Sequence, residues 1–241
     1  MTTSAPLRRL PVGATYNLRD VGGYPIGGAA RTRWGRLFRS DAARFTADTD
    51  LAGLGLRTVI DLRDDVEVVA LPTGLDAVVP TVVRRPLDPR ALLGTLDDGS
   101  SDPLGELYVA LIRERGPRLA EIVSDLAAPG ALPALVHCAA GKDRTGVVIA
   151  LVLSAIGVPD DVVATDYALT AEYLTAEFFA SVHAESGATD SADETLRGAR
   201  PESVTALLRV LADEYDGARA YLVGHGVPDE AIDRLHAALT D

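Results

Sequence analysis

The only cysteine of the chain, Cys138, and its only lysine, Lys142, lie four residues apart in the stretch ALVHCAAGKDRTGVVIA, Ala134 to Ala150. Arg144 stands six residues after the cysteine, and Thr145 follows it. These residue types at this spacing suit one chemistry. An ionised thiol is a strong nucleophile. A guanidinium on the far side of a short turn can fold back and hold two oxygens of a tetrahedral anion with its planar fork. Between the two, Ala139, Ala140 and Gly141 are small enough to let backbone amides approach a ligand closely. The combination is a nucleophile set in an oxyanion cradle, and its electrophile is phosphorus.

Such a turn works only if the flanking elements aim it. ALPALV, ending at Val136 or His137, reads as a short apolar strand, and RTGVVIALVLSAI, starting near Thr145, as a helix apolar almost all round and therefore central to the core. The unpaired N–H groups at the start of that helix and the positive end of its dipole point into the turn. A nest of this kind binds oxyanions, and the same field favours negative charge on the Cys138 sulfur. A nucleotide-binding P-loop is ruled out because Gly141-Lys142 is followed by Asp143 rather than Ser or Thr. A sulfurtransferase also uses a cysteine in an oxyanion loop, but Arg144 and Thr145 suit phosphate chemistry better.

The rest of the chain supplies the scaffold. Strands are expected at RLFRS (36–40), LRTVIDLR (56–63) and within AVVPTVVRRPLDP (77–89), with a short helix from near Thr46 to Gly55. DDVEVVA starts a helix with acids in its first turn, which suits the dipole. Residues 94–103 read as a loop, followed by helices over Leu104–Arg115 and Pro117 to about Ala127. Beyond Pro159 the chain is helical: Asp160 to about Ala184, Pro201–Tyr215, Gly217–Val223 and Pro228–Leu239, with a polar break over 185–194. Glycines 22, 23, 27 and 28 are hairpin turns, not a dinucleotide loop. Strands early, a strand–turn–helix in the middle and helices late give an α/β domain with a helical C-terminal portion.

Composition narrows the function. A net charge of −12 argues against nucleic acid and against adhesion to anionic membrane. A single cysteine excludes an internal disulfide, and the four histidines show no ligand spacing, so no metal and no cofactor is expected. No apolar run is long enough for stable membrane insertion, and no signal peptide is seen, so the expected location is cytoplasmic, with leaderless secretion left open.

HCAAGKDRTG matches the H-C-x5-R-[ST]-G signature of the cysteine-dependent protein tyrosine phosphatase superfamily. The chain resembles more narrowly its bacterial, lipid-phosphatase-like members. They share this loop and an N-terminal element that here reads Asn17-Leu18-Arg19-Asp20, followed by GRLFRSD (35–41) and DLRDDVEV (61–68). The resemblance covers residues ~10 to 170 and implies one phosphatase domain with a central mixed sheet flanked by helices. The portion from ~170 to 241 is then helical, and the segment Tyr167 to Ala199, with Tyr173, Phe178 and Phe179, is a candidate lid or ordinary core. It further implies hydrolysis of phosphotyrosine, with phosphoserine, phosphothreonine and phosphoinositides as extensions. A small-molecule phosphatase acting on inositol phosphates or nucleotides, and a phosphate-binding pseudophosphatase, are the alternatives.

The expected mechanism passes through a cysteinyl-phosphate. Cys138 attacks in line, while the amides of Ala139, Ala140, Gly141, Lys142, Asp143 and Arg144 and the Arg144 guanidinium hold the phosphoryl oxygens. The Thr145 hydroxyl donates to the departing sulfur, and the resemblance implies that His137 orders the loop. The general acid is open between Asp88, just after a strand, and Asp143 inside the loop, with Asp97, Asp98 and Asp102 nearby. If Asp143 is not the acid, an ion pair with Arg144 is expected for it. Lys142 reads either as an extra cation for substrates with several phosphates or as a solvated rim residue.

Overall fold

The computed structural model describes residues 7–43, 45, 50–94, 96, 99–180 and 198–241. Among the described residues five short strands form one sheet: β1 (Arg19–Asp20), β2 (Leu37–Ser40), β3 (Thr58–Asp61), β4 (Thr81–Arg84) and β5 (Ala134–His137). Their order is β1-β2-β5-β3-β4, with β1 antiparallel to β2 and every other pair parallel. The sheet is therefore mixed, and β5 lies at its centre. In open sheets of this kind, ligands bind beyond the carboxyl ends of the parallel strands. Ser40, His137 and Asp61 are in register there, at the ends of β2, β5 and β3.

Side-chain alternation divides the core in two. Leu37, Ile60, Ala134 and Val136 face the larger half, and Phe38, Val59 and Leu135 face the smaller. Helices fill the larger half: α3 (Pro103–Glu114), α4 (Gly116–Ala127), α5 (Asp143–Ala155), α6 (Asp160–Tyr173), α7 (Pro201–Tyr215), α8 (Ala218–Gly224) and α9 (Asp229–Leu239). The smaller half is closed by the N-terminal segment and two 3-10 turns, through Val12, Leu18, Leu51 and Leu75. As its composition demands, α5 is buried along its length from Thr145 to Leu153. Each such Val, Leu or Ile contributes about 1.5–3 kcal/mol of burial free energy. The C-terminal helices belong to the same core, since Val204, Leu207 and Leu211 of α7 share the larger cluster with Val147 and Leu151 of α5.

Two short helices near the carboxyl edge of the sheet complete the frame, α1 (Asp65–Ala70) and α2 (Arg90–Leu93). A reciprocal capping box starts α1: Asp64 accepts from the Glu67 amide and Glu67 accepts from the Asp64 amide.

Two local expectations change. The helix expected from Thr46 is a 3-10 turn over Asp50–Leu54 in its described part. The helix expected from Asp160 to about Ala184 stops at Tyr173, where Leu174 leaves helical geometry, and residues 176–180 resume it. The polar break at 185–194 and much of the candidate lid lie outside the described residues, as do Asp97 and Asp98. Phe178 is buried and meets Tyr16 edge to face at 5.4 Å.

Candidate active site

The loop from Cys138 to Lys142 joins the end of β5 to the start of α5. Its carbonyls are tied to the surrounding protein one after another. Ala139 O accepts from the Ala42 amide at 2.8 Å. Ala140 O and Gly141 O accept from Asn17 Nδ2 at 2.9 and 3.1 Å. Gly141 O also accepts from Arg39 Nη2 at 2.8 Å, and Lys142 O from the Gly146 amide at 2.7 Å. In a trans peptide the N–H points opposite to the preceding C=O. Carbonyls 139 to 142 held on the outer face therefore turn the amides of Ala140 to Asp143 toward the inner face. The first N–H groups of α5, which no side chain among the described residues caps, extend that array.

Gly141 makes the bend. Its φ of +65° is left-handed, and a Cβ there would stand 2.3 Å from Ser40 O, so only glycine fits.

Cys138 is buried, 2% exposed, at the head of this loop. The Thr145 hydroxyl, on the first turn of α5, is buried and has no hydrogen-bond partner among the described residues. A buried hydroxyl in that state has an unused donor. His137 Nδ1 faces Cys138 O at 3.3 Å, and its Nε2 lies 3.7 Å from Asp61 Oδ2. Burial pushes the imidazole below its ordinary value against the pull of Asp61, which keeps the ring neutral. Asp61 is itself buried, which alone would raise its carboxyl. The Arg63 fork, at 2.8–3.3 Å, outweighs burial and holds it below the usual range.

The Arg144 guanidinium is aimed by Glu67. Nη1 and Nη2 donate to the two Glu67 oxygens at 2.6 and 2.5 Å, and Nη1 donates also to Leu62 O at 3.3 Å. Of five N–H groups, three are engaged among the described residues. The two left, Nε–H and the second Nη2–H, lie along one edge, the fork that binds two oxygens of one anion. Burial alone would lower the guanidinium; Glu67, with the Cys138 sulfur and Asp143 nearby, raises it above its ordinary value. The carboxylate partner of Arg144 is thus Glu67 and not Asp143 as expected. Asp143 and Arg144 are consecutive at a helix start, and consecutive helical residues do not face each other.

Asp143 turns the other way. It accepts from the Tyr108 hydroxyl at 2.5 Å and lies 3.5 Å from Lys142 Nζ. Tyr108 is fully buried and shares a 2.6 Å hydrogen bond with Tyr167, so Asp143 is anchored on helices α3 and α6. Lys142 is buried too, with Nζ donating to Gly198 O at 3.1 Å. Asp88 lies in the turn before α2 and accepts from the Arg90 amide and Nε, both at 2.9 Å, and from Nη2 at 3.0 Å. Arg90 also pairs with Asp64, the cap of α1. The Arg90 hydrogen bond, and to a lesser degree Arg144, hold the Asp88 carboxyl below its usual range.

The structure thus sets His137, Cys138, the loop amides, Arg144 and Thr145 along one turn from β5 to α5, with Asp88 within electrostatic reach of Arg144. Sequence reasoning missed Glu67, Asn17, Arg39 and Tyr108 as their supports. One signal was available for Glu67: Asp64-x-x-Glu67 is a legible capping box, which fixes the direction of that side chain.

A strand–loop–helix with an amide-lined cradle, a buried thiol and a forked arginine at its edge defines the class of cysteine-dependent phosphatases. The chain belongs to the tyrosine phosphatase family, whose model matches residues 10–241. It is 31% identical to a tyrosine-protein phosphatase of Nostoc commune, over 83% of this chain and 72% of that protein. It is 29% identical to the triple specificity protein phosphatase PtpB of Mycobacterium tuberculosis, over 97% of this chain and 99% of that one. Hydrolysis of phosphotyrosine follows from the family.

Proposed function

We propose that the protein hydrolyses phosphotyrosine in protein substrates in two steps through a cysteinyl-phosphate on Cys138. The observation that carries the reading is the directed loop: its carbonyls are tied outward and one Arg144 edge is left open beside the thiol.

In the first step the Cys138 thiolate forms an S–P bond as the P–O bond to the tyrosyl oxygen breaks. The loop amides and the Arg144 fork take the charge on the three equatorial oxygens. Asp88 donates the proton that the leaving oxygen needs. In the second step water attacks phosphorus, Asp88 takes its proton, and the S–P bond breaks. The Thr145 hydroxyl donates to the sulfur as it regains its charge. His137, neutral and with Nδ1 set against Cys138 O, orders the end of β5.

Asp88 is preferred to Asp143 as the acid because Asp143 is anchored on the buried Tyr108–Tyr167 pair, whereas among the described residues Asp88 is held only by the exposed Arg90. Asp88 must leave Arg90 and take up a proton in the complex. The triple specificity named for the mycobacterial relative supports testing phosphoserine and phosphothreonine as well. The extension to phosphoinositides through Lys142 requires its Nζ to leave Gly198 O.

The test is turnover of a phosphotyrosine peptide and of para-nitrophenyl phosphate by wild type, Cys138→Ser and Asp88→Asn. Cys138→Ser should be inactive. Asp88→Asn should lose much more on the peptide, whose phenol is the poorer leaving group. Equal losses on both substrates would remove Asp88 from the role, and an active Cys138→Ser would remove the mechanism.

A further inference from the structure

Beneath the phosphate loop lies a buried charge cluster that the mechanism does not use. Arg19 from β1, Arg39 from β2 and Asp166 from α6 are each 0–1% exposed. Asp166 Oδ1 accepts from Arg19 Nε at 3.2 Å and Oδ2 from Arg39 Nη1 at 2.6 Å, so one carboxylate joins two strands to a helix. The Tyr24 hydroxyl donates to Oδ1 at 2.7 Å, and Arg19 Nη2 donates to Thr170 Oγ1 at 3.0 Å. Arg19 Nη1 donates to Asn17 Oδ1. Asn17 Nδ2 then donates to Ala140 O and Gly141 O, and Arg39 Nη2 to Gly141 O.

We propose that the Arg19–Asp166–Arg39 triad, extended by Asn17, is the positioning device of the phosphate loop: it fixes the outward direction of carbonyls 140 and 141 and so the inward direction of the amides that follow them. The inference rests on the reading of the loop as the catalytic cradle.

Two features favour this over a role in stability alone. Buried ion pairs are poor stabilisers compared with apolar packing of the same volume, so a buried triad calls for another account. This one also carries two cations and one anion, an excess of one positive charge in the interior. The other buried carboxylates nearby, Asp20 and Asp41, are held by donors of their own. Asp20 accepts from the amides of Gly22 and Gly35 and lies near Arg8. Asp41 accepts from the amides of Tyr16 and Asn17 and from the Ser40 hydroxyl. The Tyr173 ring stands 5.4 Å from the Arg19 guanidinium. What faces the surplus charge is the chain of loop carbonyls, and beyond them the seat of the phosphate. The triad thus polarises the peptides whose N–H groups bind the anion.

The second clue is a fit that tolerates no slack. Gly141 is pressed against Ser40 O, next in chain to Arg39, so the residues that hold the loop also bound its position. The Arg39 guanidinium reaches to 3.6 Å of where a Cβ on Gly146 would stand, at the first turn of α5. A shift of the triad therefore moves both the loop and the helix start.

The experiment compares Asn17→Ala and Asp166→Asn with wild type by vanadate affinity and by the rate of Cys138 alkylation with iodoacetamide at neutral pH; circular dichroism and thermal melting report the fold. Asn17→Ala removes two carbonyl contacts and keeps the buried charges. In a folded Asn17→Ala, vanadate binding should weaken ~tenfold or more, the weight of one to two net hydrogen bonds. Alkylation should slow with it, a readout that a merely structural role would leave alone. Asp166→Asn should lose at least as much; if it does not fold, Asn17→Ala decides. Folded variants with wild-type vanadate affinity and alkylation rate overturn the inference and leave the cradle standing. A wild type that neither binds vanadate nor reacts readily with iodoacetamide overturns the cradle itself, and this inference with it.

Discussion

Replacing Glu67 by glutamine tests how Arg144 is aimed. Glu67 makes three hydrogen bonds that matter: Oε1 to Arg144 Nη2, and Oε2 to Arg144 Nη1 and to the Asp64 amide. An amide has one oxygen and one NH2 group. Placed with its oxygen at the Oε2 position, the introduced glutamine keeps the Asp64 and Nη1 bonds but sets its NH2 against Arg144 Nη2, donor facing donor. In the other orientation it loses two bonds, so the first prevails. One charge-assisted bond is lost, worth about 1.5–3 kcal/mol. Side-chain exposures of 12% for Arg144 and 27% for Glu67 put the effect at the lower end, because solvent screens part of the charge. At about 1.4 kcal/mol per factor of ten, E67Q should lower kcat/KM roughly tenfold. Helix α1 keeps its cap in this variant, so the melting temperature should change little. E67A should also lose the reciprocal half of the capping box, the bond from the Asp64 amide, a further destabilisation of about 0.5–1.5 kcal/mol, while Asp64 still caps the helix. The assay is steady-state hydrolysis of para-nitrophenyl phosphate by both variants. A folded E67Q within twofold of wild type would refute the view that this pair directs the open Arg144 edge toward phosphate.

Other consequences follow from the charges around the site. Arg90 holds the Asp88 carboxyl below its ordinary range, and an acid so held loses its proton earlier as pH rises. Arg90→Ala should therefore move the alkaline limb of the kcat/KM profile, which reports the free enzyme, upward on a phosphotyrosine peptide; an unmoved limb would separate Asp88 from proton donation. His137 is held neutral by burial, so the unfolded chain takes up a proton near pH ~6.5 that the folded protein refuses until lower pH. Stability from this residue is complete above that pH and is lost as pH falls below it, with a slope of at most about 1.4 kcal/mol per pH unit. Thermal melting between pH 5 and 8 should show the decline in wild type and a shallower one in His137→Asn, and identical slopes would contradict the assignment.

What the sequence disclosed follows from where information sits along the chain. The loop was legible because its nucleophile, cation, small residues and helix start are contiguous. So were the helices that begin at Pro201 and Asp229 and the apolar α5, since caps and periodicity are local signals. The supports were not legible. Arg19 and Asp166 are 147 residues apart, Asn17 and Gly141 are 124, and Arg144 and Glu67 are 77. Nothing in a polar residue on a predicted strand says which distant carbonyl it will meet. Arg19 and Arg39 were visible only as parts of short motifs, and their meaning came from the antiparallel pairing that sets them opposite each other. The stop at Leu174 left no mark because no glycine or proline announces it. The brief helix α2 was hidden by the Asp88-Pro89 turn, where Asp88 Oδ1 accepts from the Arg90 amide, a pattern that usually marks a loop.

The claim on which the rest stands is that phosphate passes onto sulfur 138. Acid-quenched wild type, mixed for a short time with excess phosphotyrosine peptide and examined by intact-protein and peptide mass spectrometry, should carry one phosphoryl group on Cys138. Cys138→Ser should carry none and release no phosphate. A phosphoryl group found on another residue, or steady release of phosphate by Cys138→Ser, would contradict the account.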